Sequence, residues 1–533
     1  MQTSLKVSVF ALLAILALQV IFAMRTKAPT ADELAHHVAN GYSYLLTGNF
    51  KMNPASPPLP RMLTAIPFLF LKAKLPLDHE SWKKGDSPEF ARQFFYRYNQ
   101  NADQLIFWAR IPIVILSLLF AFSVFKWAQS LFGIGAAFSS LILFVFCPDI
   151  LAHSGLATAD LCVALFFFLT LINFGAYLKS PSSSKLILTG ILAGLCFLSK
   201  FSAILLFPIL LLIGFFSKKR SLISPLRILS FLCICFFTVW AGYFFEVKPL
   251  LKETPDPPKK IAFIERIGGP TFVKIAKDVP IPLSTFSAAM ASMVYTRSKG
   301  TQAYLMGEWS RKGWWYYYFI AFALKNTIPF VLLSFFSLLL IWKMKLDRIT
   351  TLVLGIPILF FFVATLQDKA QAGIRYFLPI YPFFMLLAGN FSARCFRKTF
   401  ILKLLIISLY IWHAAEAVLI YPHYLSYFNE FIGGPKNGYK YLRDSNLDWG
   451  QDLKALANFV HQKGYPDIAL VYPWSADPAY YKISYHKPSE EEFMQPKKEV
   501  YVISAHYLEA YPWTLTHTPT AVIGYSIFVY DFR

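Results

Sequence analysis

Long apolar runs separated by short basic turns limit how this chain can fold more than any other feature of its sequence. The runs cover residues 5–24, 109–125, 134–151, 159–178, 186–198, 201–216, 226–245, 315–342, 352–366, 376–391 and 401–421. A helix needs roughly 20 mainly apolar residues to cross a bilayer. With 15% charged residues and a mean hydropathy of +0.47, the chain of 533 residues cannot be an ordinary soluble protein. We predict a polytopic α-helical membrane protein with about eleven spans.

The first run, residues 5–24, is read as a retained span. Its apolar part is long for a secretory signal, and Ile21, three residues before a cut after Ala23, breaks the small-residue rule.

The charges of the turns predict the orientation of these spans. If the N-terminus is cytoplasmic, every cytoplasmic turn is basic, as the positive-inside rule requires. The residues concerned are Lys126, Lys179, Lys185, Lys218, Lys219, Arg220, Arg227, Lys343, Lys345, Arg348, Arg394, Arg397 and Lys398. Arg25 and Lys27 disagree locally, but the later turns outweigh them. The net charge of +21 therefore indicates membrane topology and lipid phosphates, and no nucleic-acid partner is expected.

The composition changes near residue 421. We predict a membrane module over residues 1–420, with outer loops at 25–108 and 246–313, and a soluble extracytoplasmic α/β domain over 421–533. Within that domain a helix is expected at 447–462, capped by Ser445 or Asn446 and stopped by Gly464, with strands at 467–473, 499–508 and 521–532. Residues 59–71 are expected at the interface and 78–104 as a loop. The six cysteines lie in or beside apolar runs, so neither disulfides nor a zinc site are expected.

Two adjacent carboxylates, Asp32 and Glu33, follow the first apolar run. Thr30 and Glu33 form a capping-box pattern, which explains Glu33 as a helix-start residue. In an α-helix, Asp32 shares a face with His36, one turn along. An ionised carboxylate at the water–lipid boundary suits a general base that deprotonates an acceptor hydroxyl.

Further candidates fall on the same predicted side of the membrane. Asp160 lies at the mouth of a span, where it suits either a helix start or a functional site. Lys200 interrupts an apolar stretch, which suits either snorkelling or contact with a lipid-linked phosphate. Arg375 and Tyr376 open a span, either as an interfacial anchor or as a phosphate contact.

The long outer loop, 246–313, is rich in lysine and arginine, which suits an anionic head group. It ends in an aromatic stretch that contains Glu308, Trp314 and Trp315. Such stretches anchor helices at the interface or offer faces for sugar stacking. The chain contains no GxGxxG, Walker A, HExxH or paired CxxC pattern, so nucleotide and structural-metal chemistry have no support.

Together these residues resemble the GT-C superfamily of glycosyltransferases. The closer resemblance is to bacterial glycosyltransferase family 39, related to the dolichyl-phosphate-mannose protein mannosyltransferases and the lipid A aminoarabinose transferases. It is carried by Asp32–Glu33, Gly48, Pro57–Leu59, Thr158–Asp160, Lys200, Gly307–Tyr317, Arg375–Phe383 and Asn429–Asp452. The family often has His before the Pro-Pro pair. This chain has Ser56 there, so no role of that His is carried over.

The resemblance implies an inverting transfer of a hexose, mannose-like, from a polyprenyl-phosphate carrier to an acceptor hydroxyl on a protein, lipid or glycan. It implies a place in the plasma membrane, the inner membrane of the cell, with the site and the C-terminal domain outside. The implied catalytic residues are Asp32 as base, with Glu33 and Asp160. The implied donor-phosphate contacts are Lys200, Arg375, Tyr376 and Arg61. The implied sugar or acceptor contacts are His36, Glu308, Trp314 and Trp315.

Two alternatives and one cofactor question stay open at this point. A flippase or transporter of lipid-linked sugars would also want basic, aromatic outer surfaces, but it needs charged or broken helices near mid-membrane. A lipid-linked glycan ligase or polymerase would differ mainly in its acceptor. Asp32 and Glu33 are oxygen ligands that would suit Mg²⁺ or Mn²⁺, although this branch of the superfamily is expected to work without a metal.

Overall fold

The computed structural model describes residues 2–219, 224–251, 265, 269–271, 273–473 and 475–533, and most of them are helical. The α-helices are Gln2–Thr26, Val38–Thr47, Leu59–Leu71, Glu80–Lys84, Ser87–Gln93, Ala102–Phe132, Ile134–Val145, Pro148–Ser154, Asp160–Lys179, Ser183–Ser199, Leu206–Phe216, Pro225–Gly242, Ser284–Lys299, Tyr317–Lys325, Ile328–Leu339, Arg348–Thr365, Tyr381–Cys395, Phe400–Leu419 and Leu453–Lys463. Two segments, Glu33–His37 and Phe94–Tyr98, are π-helical. Part of the basic loop 246–313, including Lys252, Lys259, Lys260 and Arg266, lies outside the described residues, as does Arg220.

The predicted fold class, a polytopic α-helical membrane protein with a small C-terminal α/β region, is confirmed. Among the described residues, seven helices are long and apolar enough to cross a membrane: Ser4–Thr26, Ala102–Phe132, Asp160–Lys179, Pro225–Gly242, Arg348–Thr365, Ile374–Cys395 and Phe400–Leu419. An eighth is the pair Ile134–Val145 and Pro148–Ser154, bent by 63°. The other three predicted runs form the shorter apolar helices Ser183–Ser199, Phe201–Phe216 and Ile328–Leu339, so length alone does not give eleven spans.

The turns gather at two ends of the helical bundle. At one end, the Lys179 ammonium lies 2.8 Å from the Asp347 carboxylate, and Arg348 donates a hydrogen bond to the carbonyl of Phe216 at 2.6 Å. These residues come from turns that the charge pattern assigns to one side. The candidate site lies at the other end.

Small residues let the helices Ser183–Ser199 and Pro225–Gly242 approach each other closely. A Cβ added at Gly190 would lie 2.8 Å from Ile234, and one added at Gly194 would lie 2.5 Å from Thr238. Helix Ser183–Ser199 therefore lies directly against Pro225–Gly242, as small residues allow between membrane helices. This contact fixes the C-terminal end of Ser183–Ser199, which leads into Lys200.

Three sheets complete the described part of the fold. Strands β1 (Val247–Pro249) and β2 (Pro280–Pro282) form one antiparallel pair, and β3 (Ala303–Leu305) and β4 (Glu308–Ser310) form another. The C-terminal sheet contains β5 (Ile468–Val471), β6 (Tyr485–His486), β7 (Val500–Ser504), β8 (Ala521–Ile523) and β9 (Ile527–Asp531). Its order is β6-β5-β7-β9-β8, with β6, β5 and β7 parallel and β9 antiparallel to both of its neighbours.

Two local expectations were wrong. Residues 78–104, expected as a loop, contain the short helices Glu80–Lys84 and Ser87–Gln93. The tail helix begins at Leu453, after Asp452, and not near Ser445 or Asn446, because these two side chains bond to the segment before Arg375 instead. Gly464 does end the helix, with φ +64°.

The C-terminal region is fixed to the first outer loop by a buried ion pair. The Lys27 ammonium lies 2.6 Å from Asp452, whose second oxygen accepts a hydrogen bond from Ser526 at 2.7 Å. Burial raises the pKa of Asp452, but Lys27 and His423 lower it by more. The pKa of Asp452 therefore lies well below its usual range. A Cβ at Gly524 would lie 2.3 Å from the same carboxylate, so only glycine fits there.

Candidate active site

Four charged side chains from four separate segments meet at one end of the bundle. Arg375 lies 3.2 Å from Asp32 and 3.8 Å from Asp160, and the Lys200 ammonium lies 2.6 Å from Asp160. The side chain of Asp32 is 27% exposed and that of Asp160 only 2%. Of the two carboxylates, Asp32 is therefore the one that a substrate reaches.

Local backbone structure positions each of these residues. Asp160 is the first residue of a span, Lys200 is extended between the helical segments that end at Ser199 and begin at Phe201, and Arg375 lies in the 3₁₀ turn Ile374–Ile380. Asp32 stands immediately before the π-helical turn Glu33–His37. Each residue thus lies where a helix begins, breaks or changes its winding.

The π-helical turn alters the spacing expected after Asp32. The Val38 N–H bonds to the carbonyl of Glu33, five residues back, and such turns frequently occur at functional sites. His36 bonds to the Asn53 amide at 2.9 Å. Burial lowers the pKa of His36, and the positive charge of Arg61 lowers it too, against the opposing charge of Asp32.

Glu33 is fully buried and paired with Arg110. The guanidinium donates to both carboxylate oxygens, at 2.8 and 2.7 Å, and the N–H groups of Ala157 and Thr30 donate at 2.7 and 2.8 Å. The Thr30 bond is half of the expected capping box. Burial raises the pKa of Glu33, but Arg110 lowers it more, so it lies below its usual value. The catalytic and metal-binding roles expected for Glu33 do not fit this enclosure, because protein donors hold both oxygens.

Arg61 is also fully buried, but it has no acidic partner among the described residues. Its Nη1 donates to the Tyr44 hydroxyl at 2.9 Å and to the Asn53 carbonyl at 2.5 Å. Its Nε and Nη2 make no hydrogen bond within the described part of the chain. Lys200 and Arg375, in contrast, each face a carboxylate. Of Arg61, Lys200 and Arg375, Arg61 is thus the one without a carboxylate partner among the described residues.

The ring of Tyr376 contacts two cations from other segments of the chain. The Lys200 ammonium is 3.9 Å from the centre of its ring and the Arg297 guanidinium 5.2 Å, both within cation–π range. Arg297 also pairs with Asp368 at 2.9 Å. The aromatic ring thereby fixes the position of Lys200 beside Asp160.

The tail supplies a wall of the site that sequence reasoning missed. The Trp449 ring lies 4.2 Å from the Arg375 guanidinium carbon, and Asn446 accepts a hydrogen bond from the Ile374 N–H at 2.9 Å. The Ala31 N–H donates to the Trp449 carbonyl at 3.0 Å. Both residues belong to the motif Asn429–Asp452 that carries the family resemblance, which was the available signal.

One acid and one base near the cluster, Asp444 and His37, have shifted pKa values. Burial raises the pKa of Asp444, although Arg375 opposes the shift. Burial lowers the pKa of His37 well below its usual value, and the charge of Arg61 adds to this. The Nδ1 of His37 is buried and makes no hydrogen bond to the described residues. The imidazole of His37 is therefore neutral near pH 7 and has an unused ring nitrogen, and the charges of Arg61 and Asp160 act on its pKa in opposite directions.

Three predicted contacts stand apart from the cluster. Glu308 lies in β4 and is exposed, Trp314 bonds through its backbone to Gln371, and Trp315 is 64% exposed. No hydrogen bond, ion pair or ring contact joins them to Arg375 within the described part of the chain. Their expected sugar or acceptor contacts stay predictions.

A divalent metal does not fit between the two available carboxylates. Asp32 and Asp160 supply oxygen ligands of the kind that Mg²⁺ prefers. However, Nη1 of Arg375 lies between them, at 3.2 and 3.8 Å, and already provides the positive charge. Glu33 is enclosed by Arg110. We therefore assign no step to a metal.

Comparison with known proteins bears on part of this region. Residues 102–243, which include Asp160 and Lys200, match the family model described as dolichyl-phosphate-mannose-protein mannosyltransferase. Over these residues, the predicted resemblance to the dolichyl-phosphate-mannose protein mannosyltransferases is confirmed. No curated protein matches the chain.

Solved structures of low identity also align with the chain. ArnT from Cupriavidus metallidurans bound to undecaprenyl phosphate is 12% identical, with 98% of this chain and 97% of that chain covered and a TM-score of 0.48. The Archaeoglobus fulgidus oligosaccharyltransferase tethered with an acceptor peptide is 14% identical, with 94% and 63% covered and a TM-score of 0.43. At these values, the interpretation of the site depends on its own residues.

Proposed function

We propose that this protein is an inverting glycosyltransferase that moves a sugar from a polyprenyl-phosphate carrier to an acceptor hydroxyl. The observation that carries the proposal is the ionic cluster at one end of a membrane bundle. In that cluster Asp32 is accessible and held by Arg375 at 3.2 Å, beside the pair of Asp160 and Lys200. A base and a set of cations are what this transfer needs.

Asp32 is the proposed general base. The Arg375 guanidinium orients its carboxylate and leaves other lone pairs for the acceptor proton. As Asp32 takes that proton, the acceptor oxygen bonds to the sugar C1 and the C1–O bond to the phosphate breaks. The electron pair of that bond leaves with polyprenyl phosphate, and the configuration at C1 is inverted.

The leaving group carries negative charge, so its stabilisation falls to cations. Arg61 is the strongest candidate because a buried, unpaired guanidinium is costly until an anion meets it. Its planar donors suit phosphate oxygens. Lys200, with Tyr376 behind it, and Arg375 act as secondary contacts because Asp160 and Asp32 already share their charge.

Asp160 and Glu33 are proposed as positioning residues. Asp160 holds Lys200 and Arg375 in place, and Glu33 fixes the loop that carries Asp32 through its pair with Arg110. His36 and the neutral imidazole of His37 are proposed to contact the sugar or the acceptor.

The proposed location is the plasma membrane, with the N-terminus in the cytoplasm and the site outside. The basic turns support this orientation, because Lys179 and Arg348 lie at the end opposite the site. A hexose of the mannose type is proposed from the family that residues 102–243 match. Membrane lipids surround the module 1–420, and residues 421–533 form the extracytoplasmic part.

Replacement of the base tests the proposal. Asp32→Asn should lower transfer from polyprenyl-phosphate mannose at least about 100-fold, because a general base contributes at least that factor. The variant should still insert and bind the lipid. Release of polyprenyl phosphate by the purified protein in nanodiscs is the measurement.

Asp78→Asn is the matched control, since Asp78 is an exposed acid of the same outer loop. It should retain normal activity. Full activity of Asp32→Asn would refute the assignment of the base, and no transfer by the unchanged protein from any polyprenyl-phosphate hexose would refute the donor class.

A further inference from the structure

The C-terminal sheet contains a cavity that the proposed chemistry does not use. Its volume is about 490 Å³, within the usual range of ligand pockets. It lies beyond the carboxyl ends of β5 and β7, since Tyr472 follows β5 directly and Tyr507 and Tyr511 follow β7. In sheets with parallel strands, the crevice outside the carboxyl ends of the strands is the usual ligand site.

Aromatic side chains line this cavity. Besides Tyr472 and Tyr511, they are Tyr485, Phe493 and Tyr507, which are 40%, 39% and 38% exposed. The Phe493 and Tyr511 rings meet edge to face at 5.0 Å, which holds the Phe493 ring in place. Exposed aromatic rings gathered around one cavity indicate a binding surface rather than a core.

Polar and charged groups complete the lining. Arg92 contributes from the first outer loop, and Asp477 and Lys487 from the C-terminal region. Flat aromatic faces suit the C–H faces of pyranose rings, and charged donors and acceptors suit their hydroxyl groups. This combination favours a saccharide over a lipid chain, which would need no polar partners.

A short series of contacts connects the cavity to the ionic cluster. The Tyr472 hydroxyl donates to the carbonyl of Gly450 at 2.9 Å. Gly450 follows Trp449, whose ring lies 4.2 Å from Arg375. On the other side, the Asp477 N–H donates to Tyr96 of the first outer loop at 3.3 Å.

We infer that this cavity binds a saccharide chain, and that the acceptor of the proposed transfer is therefore a glycan. The second half of this statement rests on the proposed function, but saccharide binding itself does not. The rings hold the sugar chain, and its free end extends toward Asp32.

A binding experiment tests the cavity without turnover. Full-length Asp32→Asn protein in nanodiscs is applied to an array of neutral and acidic oligosaccharides and unglycosylated peptides. We expect an oligosaccharide to bind, and the double variant Phe493→Ala/Tyr507→Ala, in the Asp32→Asn background, to bind it at least about tenfold more weakly, since two apolar contact faces are lost. Phe431→Ala, which removes a ring that is 58% exposed elsewhere, should bind normally.

Tyr485→Ala alone provides a second measurement if the double variant does not fold, because its ring is the most exposed of the three. Binding of peptides only, binding of no oligosaccharide, or binding unchanged by these substitutions would overturn the inference. Release of polyprenyl phosphate by the unchanged protein is measured separately. Release without saccharide binding refutes the cavity alone, whereas binding without release refutes the proposed function alone.

Discussion

Arg61 differs from the other cations near Asp32 because it is buried without an acidic partner among the described residues. Asp160 faces Lys200 at 2.6 Å and Asp32 faces Arg375 at 3.2 Å, so these charges are balanced before any substrate arrives. Arg61 donates only to the neutral oxygens of Tyr44 and Asn53. Such a residue destabilises the empty protein and binds an anion well.

Replacement of this guanidinium should separate stability from donor binding. Without polyprenyl phosphate, we expect the Tm of Arg61→Gln to equal or exceed that of the unchanged protein, because a buried charge with no acidic partner among the described residues is removed. The variant should also lose most of the rise in Tm that polyprenyl phosphate produces, and its donor KM should rise about tenfold, since a hydrogen bond to a charged group contributes about 1.5–3 kcal/mol. Thermal unfolding with and without polyprenyl phosphate measures the two Tm effects, and the rate of polyprenyl phosphate release at increasing donor concentration gives the KM.

Arg97→Gln is the control, because Arg97 is an exposed arginine of the same loop. It should leave the Tm, the rise in Tm with polyprenyl phosphate and the donor KM unchanged. An equal rise in Tm with polyprenyl phosphate for Arg61→Gln and the unchanged protein would contradict the assignment of the phosphate contact.

The convergence of Asp32, Asp160, Lys200 and Arg375 was predictable from the sequence, because counting spans assigns their turns to one side. The partner of Glu33 was not. Arg110 lies early in the helix Ala102–Phe132, among apolar residues, where nothing in the sequence distinguishes a buried ion pair from a membrane-facing charge. Only the tertiary contact shows which acid it meets.

At the scale of elements, the π-helical turn Glu33–His37 carries Asp32 into the site, and the pair of Glu33 and Arg110 fastens it. The guanidinium also donates to the carbonyls of Met24 and Ala28, at 3.0 and 2.9 Å. One ion pair therefore ties together the end of the first span, the turn and the helix Ala102–Phe132.

Breaking this pair should loosen the whole element. Glu33→Gln leaves Arg110 buried without its counter-charge, which costs about 3–5 kcal/mol. We expect a clearly lower Tm and a loss of activity that follows the loss of folded protein. Thermal unfolding of the purified protein is the measurement, and Glu80→Gln, at an exposed surface pair, should leave Tm unchanged.

The pair of Glu33 and Arg110 also predicts how the stability of the protein depends on pH. Burial raises the pKa of Glu33, but Arg110 outweighs it, so the folded-state value lies below the ordinary value of 4.5. The stabilisation is therefore present above about pH 4.5 and is lost as the pH falls through the folded-state value. A Tm difference between Glu33→Gln and the unchanged protein that stayed constant throughout acid titration would contradict this account.

Element boundaries were harder to predict than element types. All eleven apolar runs contain helix, but two of the helices are shorter than a full span. Lys200 ends Ser183–Ser199, and the extended residues Asn326 and Thr327 divide the run 315–342 into Tyr317–Lys325 and Ile328–Leu339. The tail helix starts at Leu453 because Asn446 is engaged with Ile374, a contact 72 residues away in sequence. Such long-range contacts override local capping signals.

At the scale of the whole molecule, the C-terminal region and the membrane bundle share the site. Lys27 and Asp452 form an ion pair between them, and Tyr304 and Trp309 of the β3–β4 hairpin donate hydrogen bonds to the Glu509 carboxylate at 3.2 and 2.8 Å. Trp449 and Asn446 then lie against the segment that carries Arg375. The predicted boundary at residue 421 thus marks a change in composition, while the contacts cross it.

Removal of the Lys27 ammonium should loosen this attachment. Lys27→Met leaves Asp452 without its closest cation, and we expect faster proteolytic cleavage after residue 421 together with reduced transfer. Limited proteolysis of the protein in nanodiscs measures the first effect. Lys454→Met is the control, because Lys454 and Asp103 form a partly exposed pair across the same contact and contribute little. Equal cleavage of the two variants would refute the importance of the buried pair.

The position of Trp449 has a consequence for how the protein is made. Asp32, Asp160, Lys200 and Arg375 are all synthesised before residue 449, yet the ring over Arg375 comes from a segment that the ribosome delivers late. A nascent chain that has inserted all its helices therefore still lacks one wall of its charged centre. On the proposed function, we therefore expect no sugar transfer by a nascent chain until the segment that carries Trp449 has been translated and has folded back onto the bundle.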